Sequence, residues 1–222
     1  MLLRVIIAGG TGLVGRQLLN LLCAAPRIDA VVSVGRRPSG LAHAKLEERI
    51  GSADQWPQLM EGGFDVACSA LGTTIRDAGS QEAFFAVDHD LVLAFARAAC
   101  GAGTRQFLMI SSVGAHAASR NFYLATKGKA ETAIANIGFE RIDIVRPGLL
   151  RCQRAGRLRL GERLAIALSP ITDVLTPQVL SRYRSIAAAS VAQSMLALTG
   201  AQEAGQFVHH NEDMMRLTRE SV

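Results

Sequence analysis

Leu2-Leu3-Arg4-Val5-Ile6-Ile7-Ala8, followed by Gly9-Gly10-Thr11-Gly12-Leu13-Val14-Gly15, decides how the rest of the chain is read. The first seven residues are nearly all apolar and rich in β-branched side chains, the pattern of a strand buried on both faces of a parallel sheet. From Leu13 to Ala24 the apolar residues Val14, Leu18, Leu19, Leu21 and Leu22 recur at helical spacing, and Pro26 marks the stop. Glycines in a turn between a strand and a helix have separate mechanical uses. Gly9 permits the tight turn, Gly12 lets the backbone approach a pyrophosphate, and Gly15 lets the helix lie close to the sheet. The anion would sit on the free N–H groups of the helix N terminus. No Gly-Lys-Ser/Thr follows, which excludes the phosphate loop of nucleoside triphosphatases.

The same alternation continues outward. Ala30 to Val34 reads as a second strand, Leu46 to Ile50 as a weak third, then a short helix ending near Met60 and a fourth strand from Phe64 to Ser69. A long alanine-rich helix is predicted from Gln81 to Cys100, a fifth strand from Phe107 to Ser111, a helix from Phe122 to Ile137 and a sixth strand from Arg141 to Val145. Strands alternating with helices argue an α/β doubly wound parallel sheet of the Rossmann type, covered on both faces. After Pro147 the rhythm breaks into arginine-rich loop, helix within Ser185 to Leu198, a strand at Gln206 to His209 and a last helix from Asn211. The 222 residues are read as one domain, with 148–222 contributing a small substrate-side region at the carboxyl end of the sheet.

Composition sets the outer limits. With 49% hydrophobic and 19% charged residues the chain can bury a large core, which excludes intrinsic disorder. The net charge is +5, and the arginines cluster at Arg36-Arg37 and from Arg146 to Arg163. No RNP-type aromatic motif, zinc finger or lysine-rich tail accompanies them, so nucleic acid is not an expected partner. Cys23, Cys68, Cys100 and Cys152 lie far apart, the pattern of reduced thiols in a cytoplasmic protein. The apolar run after Arg4 stops at Gly9, too short for a signal peptide or a membrane span, and no membrane association is expected.

About twenty residues beyond the glycine turn an NAD site would carry an acidic residue for the ribose 2′-hydroxyl. Here the second strand ends Val34-Gly35-Arg36-Arg37, and two guanidinium groups suit a 2′-phosphate, so NADP is the expected cofactor. Tyr123-Leu124-Ala125-Thr126-Lys127 puts a tyrosine and a lysine one turn apart on one helix face. Ser111 and Ser112 sit at the carboxyl end of the fifth strand, where open α/β sheets bind ligands. A carbonyl accepting hydride develops alkoxide charge. A tyrosine beside an ammonium group can supply the proton, and a serine hydroxyl can donate a hydrogen bond to the same oxygen.

These motifs, with Cys68-Ser69-Ala70-Leu71-Gly72-Thr73-Thr74 and Arg146-Pro147-Gly148, resemble an atypical short-chain dehydrogenase/reductase, closest to the Tat-interacting-protein-like group. The resemblance implies an NADP-dependent oxidoreductase acting on a small carbonyl compound, with Ser112, or alternatively Ser111, and Tyr123 and Lys127 as catalytic residues. It implies Gly9, Thr11, Gly12, Leu13, Val14 and Gly15 along the pyrophosphate, Arg36 and Arg37 at the 2′-phosphate, and Leu71 and Gly72 at the adenine-side ribose. Leu150 would close over the nicotinamide, and Arg159 or Arg157 would reach the cofactor from the following loop. Two positions depart from the pattern: Gly51-Ser52-Ala53-Asp54 stands where related sheets carry an adenine-binding aspartate, and Asp88 stands where an asparagine is common.

The same resemblance supports a second class of function, an NADPH-binding regulatory protein whose occupancy controls a protein partner. The alanine-rich helices are also compatible with a homodimer. His209-His210 beside Glu212 and Asp213 is not read as a metal site, because adjacent residues of a strand face opposite ways.

Overall fold

The computed structural model describes residues 2–151 and 183–220. In chain order its elements are β1 (Leu3–Ala8), α1 (Leu13–Ala24), β2 (Ile28–Gly35), β3 (Leu46–Ile50), α2 (Trp56–Leu59), β4 (Val66–Ser69), α3 (Ile75–Ala78) and α4 (Gln81–Phe85). They continue with α5 (Val92–Gly101), β5 (Gln106–Ile110), α6 (Phe122–Ala135), β6 (Arg141–Val145), β7 (Leu150–Arg151), β8 (Ile186–Ala187), α7 (Ala188–Leu198), β9 (Gly205–His209) and α8 (Asn211–Glu220). Seven strands form one parallel sheet in the order β3-β2-β1-β4-β5-β6-β9. The chain leaves β1 toward β2 and returns on its other side at β4, so the reversal of winding lies between β1 and β4, where α/β sheets open a ligand crevice.

Each strand shows both faces to a helical layer. Val5 and Ile7 join Val31, Val66, Cys68 and Leu108 under α1, α7 and α8. Ile6 and Ala8 join Val32, Ala67, Phe107 and Met109 under α2, α5 and α6. Burial on both sides is why the opening strand lacks polar alternation. On α1 the residues Leu18, Leu19 and Leu22 are fully buried, each worth ~1.5–3 kcal/mol of transfer free energy. Trp56 meets Phe95 edge to face at 5.7 Å in the opposite layer.

Three differences from the sequence-based expectations have physical causes. The helix expected from Gln81 to Cys100 is interrupted by a wider π turn over Ala86–Leu91. Such an insertion leaves no apolar signature, and it places Asp88 in the wall of the site described below. The strand near Gln206 does not belong to a separate region: β9 pairs in parallel with β6 and forms the sheet edge, its residues exposed or half-buried. Finally, the helix expected within Ser185 to Leu198 starts at Ala188, because Ile186–Ala187 pairs with Leu150–Arg151 in a separate two-residue ladder. Among the described residues no helix is long and apolar enough to cross a membrane.

Candidate active site

The glycine turn separates into residues the fold requires and one it does not. Gly9 has φ +88°, and a Cβ there would lie 2.5 Å from the Ala70 carbonyl carbon. A Cβ on Gly15 would fall 2.0 Å from the Gly9 carbonyl oxygen. Gly12 is different: it is exposed, its φ is −75°, and the nearest atom to an added Cβ is the Gly9 oxygen at 3.3 Å. Among the described residues a side chain at Gly12 is crowded far less than at Gly9 or Gly15, and the exposed position faces outward. Gly12 caps α1 without a side-chain hydrogen bond, leaving the first-turn N–H groups of Leu13, Val14 and Gly15 for an external anion. Thr11 is exposed beside them, whereas the Val14 side chain belongs to the core and only its backbone faces the turn. This cradle fits a pyrophosphate.

Arg36 and Arg37 follow the end of β2, both exposed and neither in an ion pair among the described residues. Arg16, one position past Gly15, donates from Nη2 to the Ser39 carbonyl at 3.4 Å, so a third guanidinium borders the same loop. That residue was not singled out in the sequence, because an arginine on an exposed helix face carries no motif. Leu71 and Gly72 lie on the loop after β4, beside the glycine turn: the Leu71 nitrogen would be 2.7 Å from a Cβ on Gly9. In the adjoining turn the Ser52 hydroxyl beside the exposed Asp54 holds its carboxyl below the usual range.

Tyr123 and Lys127 stand in the opening turns of α6, whose start is fixed by Asn121, which accepts the Leu124 N–H at 3.1 Å. The Tyr123 ring is half-buried and packs on the fully buried Phe84 with centroids 5.4 Å apart. Lys127 is 4% exposed; its Nζ lies 2.7 Å from Asp88 Oδ1 and donates to the Ile110 carbonyl at 3.4 Å. Asp88, 1% exposed, also accepts the Thr73 N–H at 2.8 Å through Oδ2. The position expected to carry an asparagine therefore makes a buried ion pair with the site lysine.

Both serines lie just past β5. Ser111 extends the ladder by donating its backbone N–H to the Val145 carbonyl and is 3% exposed, with its Oγ buried and without a partner among the described residues. Ser112 is half-buried, and its hydroxyl makes one long bond, 3.3 Å, to the Val113 carbonyl, so it is the serine that a ligand can reach. The loop between serine and tyrosine is pressed against α6. A Cβ on Gly128 would lie 2.3 Å from the Ala117 nitrogen and the His116 carbonyl carbon, and His116 N–H donates to the Leu124 carbonyl at 3.2 Å. Gly128, which follows the lysine directly, thus sets the distance from the serine loop to the tyrosine helix, and sequence reading passed over it.

Beyond β6 the arginine-rich stretch is partly committed. Arg146 donates from Nε to Glu131 Oε1 at 2.9 Å and from Nη2 to Glu131 Oε2, so it is not a free receptor for an acidic ligand. Leu150 sits in the ladder with Ile186 and leans on the apolar layer of α1. Arg157 and Arg159, with Cys152, Arg154 and Arg163, lie outside the described residues. His209 Nε2 is 2.9 Å from Asp143 Oδ1 and so belongs to the sheet. No cluster of three or more metal-ligating side chains occurs among the described residues.

Comparison with known proteins agrees with this geometry. A family model described as NAD(P)H-binding matches residues 9–201. A mitochondrial FMP52 protein of Meyerozyma guilliermondii is 37% identical over 68% of this chain and 67% of its own length, and one of Coccidioides immitis is 32% identical over 96% and 95%. Among solved structures, MoeE5 in complex with UDP-glucuronic acid and NAD superposes with TM-score 0.69 at 15% identity, covering 99% of this chain and 82% of that one. A putative NAD-dependent epimerase/dehydratase from Bacillus halodurans gives TM-score 0.67 at 19% identity, covering 98% and 99%. The names of the relatives correct the expectation of a cytoplasmic protein, since they are mitochondrial; scattered reduced cysteines report a reducing environment and do not separate one such compartment from another. By the family match and by these relatives, the chain belongs to the NAD(P)H-binding family and, within it, to the FMP52 group.

Proposed function

We propose that the protein is an NADP-dependent oxidoreductase of the short-chain dehydrogenase/reductase type, acting on a small carbonyl or alcohol. The observation that supports this reading is that Lys127, one turn beyond Tyr123 on α6, reaches the Ile110 carbonyl at the end of β5, two residues before Ser112, at the carboxyl end of the sheet that also bears the uncapped glycine turn. The first-turn N–H groups of α1 would hold the pyrophosphate, and Arg36 and Arg37 the 2′-phosphate, with Arg16 adding positive charge. When bound, NADPH supplies the hydride. Tyr123 gives its hydroxyl proton to the oxygen of the reduced carbonyl and recovers one from water, while the Ser112 hydroxyl donates a hydrogen bond to that oxygen as charge develops. Lys127, held beneath them, keeps a positive charge near the phenol. Leu150 would help shape the substrate side.

Titration calorimetry with NADPH and NADH, followed by NADPH oxidation against a carbonyl panel, tests this. Binding of NADPH in preference to NADH is expected, with turnover that Tyr123→Phe abolishes. Preference for NADH, or tight NADPH binding with no carbonyl turned over, refutes it.

A further inference from the structure

Asp88 is an acidic side chain, 1% exposed, in the wall of this site. Its two carboxylate oxygens serve different elements: Oδ1 faces Lys127 Nζ at 2.7 Å and Oδ2 accepts the Thr73 N–H at 2.8 Å. Lys127 in turn reaches the Ile110 carbonyl at the end of β5. The loop after β4, the π turn over Ala86–Leu91, α6 and the end of β5 thus converge on one buried pair. A Cβ on Gly72 would lie 3.3 Å from Asp88 Oδ1 and 3.6 Å from Lys127 Nζ, so the loop residue beside the pair is the smallest available. An ammonium group has three N–H donors. The Lys127 head donates a hydrogen bond to the Ile110 carbonyl, and Asp88 Oδ1 meets it as an ion pair at 2.7 Å without being saturated by a hydrogen bond among the described residues.

We infer that Asp88 is the positioning residue for Lys127, and this inference rests on the cofactor reading above. The carboxylate holds the lysine head in place between the end of β5 and the Thr73 loop, on the helix that carries Tyr123. Through Thr73 it also ties the loop carrying Leu71 and Gly72 to that lysine. Removing either member alone strands the other. Without its counter-charge Lys127 is no longer held in the wall, and its amine is freer to meet an acylating reagent. Removing both members leaves no stranded charge, so the losses are not additive.

The experiment is acylation by N-hydroxysuccinimidyl acetate at neutral pH, with the peptides bearing Lys127 and the exposed Lys129 quantified by mass spectrometry. The wild-type protein, Asp88→Asn, Lys127→Met and the double variant are compared, each with a thermal melt. In Asp88→Asn the acylation rate of Lys127 relative to Lys129 is expected to rise at least tenfold, and NADPH is expected to protect Lys127 in the wild-type protein but not in the variant. The double variant should melt above both single variants. A Lys127 rate unchanged in Asp88→Asn, or strictly additive losses of melting temperature, overturns the inference. If Asp88→Asn does not fold, recovery of folding in the double variant upholds it and continued unfolding overturns it. Loss of the cofactor reading shows separately, as wild-type protein that binds no NADPH, while the acylation ratio without NADPH still decides whether Asp88 sets Lys127.

Discussion

Gly128→Ala offers a test in which sign and size both matter. On an open helix face the change favours folding by roughly 0.5–1 kcal/mol, because alanine loses less backbone entropy than glycine. Here the added methyl would sit 2.3 Å from the Ala117 nitrogen and the His116 carbonyl carbon, both backbone atoms, where ordinary contact begins at 3.4 Å. The loop must retreat by about an ångström, the kind of overpacking that costs about 1–3 kcal/mol. For a chain of this length that corresponds to a fall in melting temperature of roughly 2–12 °C. The retreating loop carries Ser112 away from Tyr123, and a misplacement of about 1 Å at reacting groups costs on the order of a hundredfold in rate. Calorimetric melting and NADPH-dependent carbonyl reduction read the two effects. A variant that melts above the wild-type protein with undiminished turnover would falsify the claim that this glycine seats the serine loop.

Gly12→Ala should show the opposite signature. The methyl would stand 3.3 Å from the Gly9 carbonyl oxygen, which need give by only a few tenths of an ångström, so stability falls by about 1 kcal/mol, while NADPH affinity drops at least about tenfold as the cradle fills. Unchanged affinity in calorimetry would mean that the pyrophosphate lies elsewhere. Arg36→Ala or Arg37→Ala removes charge-assisted bonds worth about 1.5–3 kcal/mol, so NADPH affinity should weaken roughly 10- to 100-fold and NADH affinity hardly at all; equal loss for both coenzymes refutes the 2′-phosphate assignment. Asp143 is expected to contribute to the acid limb of stability. Burial pushes its carboxyl up, but hydrogen bonds from His209, Arg141 and Gln106, with the Arg141 charge, more than offset that and hold it below its ordinary value of 3.8. Its stabilising contribution is therefore complete above that value and lost as pH falls through the lower folded value, and Asp143→Asn should flatten the melting-temperature curve below about pH 4. A curve with the same acid slope in both proteins overturns this.

The sheet was legible because its signals are local. The β-branched run of β1, the helical spacing of α1 and the glycines between them each state their structure within a few residues. The location of Tyr123 and Lys127 followed from their spacing alone. What could not be read was set by contacts between distant segments. Glu131 meets Arg146 across fifteen positions, and Asp88 meets Lys127 across a π turn that has no period of its own. The edge strand β9 carries a mixed burial pattern, so its sequence announces a strand without naming the neighbour. Gly128 was invisible for a related reason: the backbone it admits belongs to a loop with no secondary structure.

Asn211, the first residue of α8, accepts the Gly148 N–H at 3.0 Å and donates to the Arg184 carbonyl. Ile186 N–H donates to the Leu149 carbonyl at 2.9 Å, and Gly148 passes so close to Arg184 that a methyl would stand 2.3 Å from its oxygen. The chain thus departs from the sheet and rejoins it at a single clasp made of main-chain atoms and one amide. Asn211 is therefore a shared rivet: losing its amide would loosen the approach to β7 and the approach to β8 in one stroke.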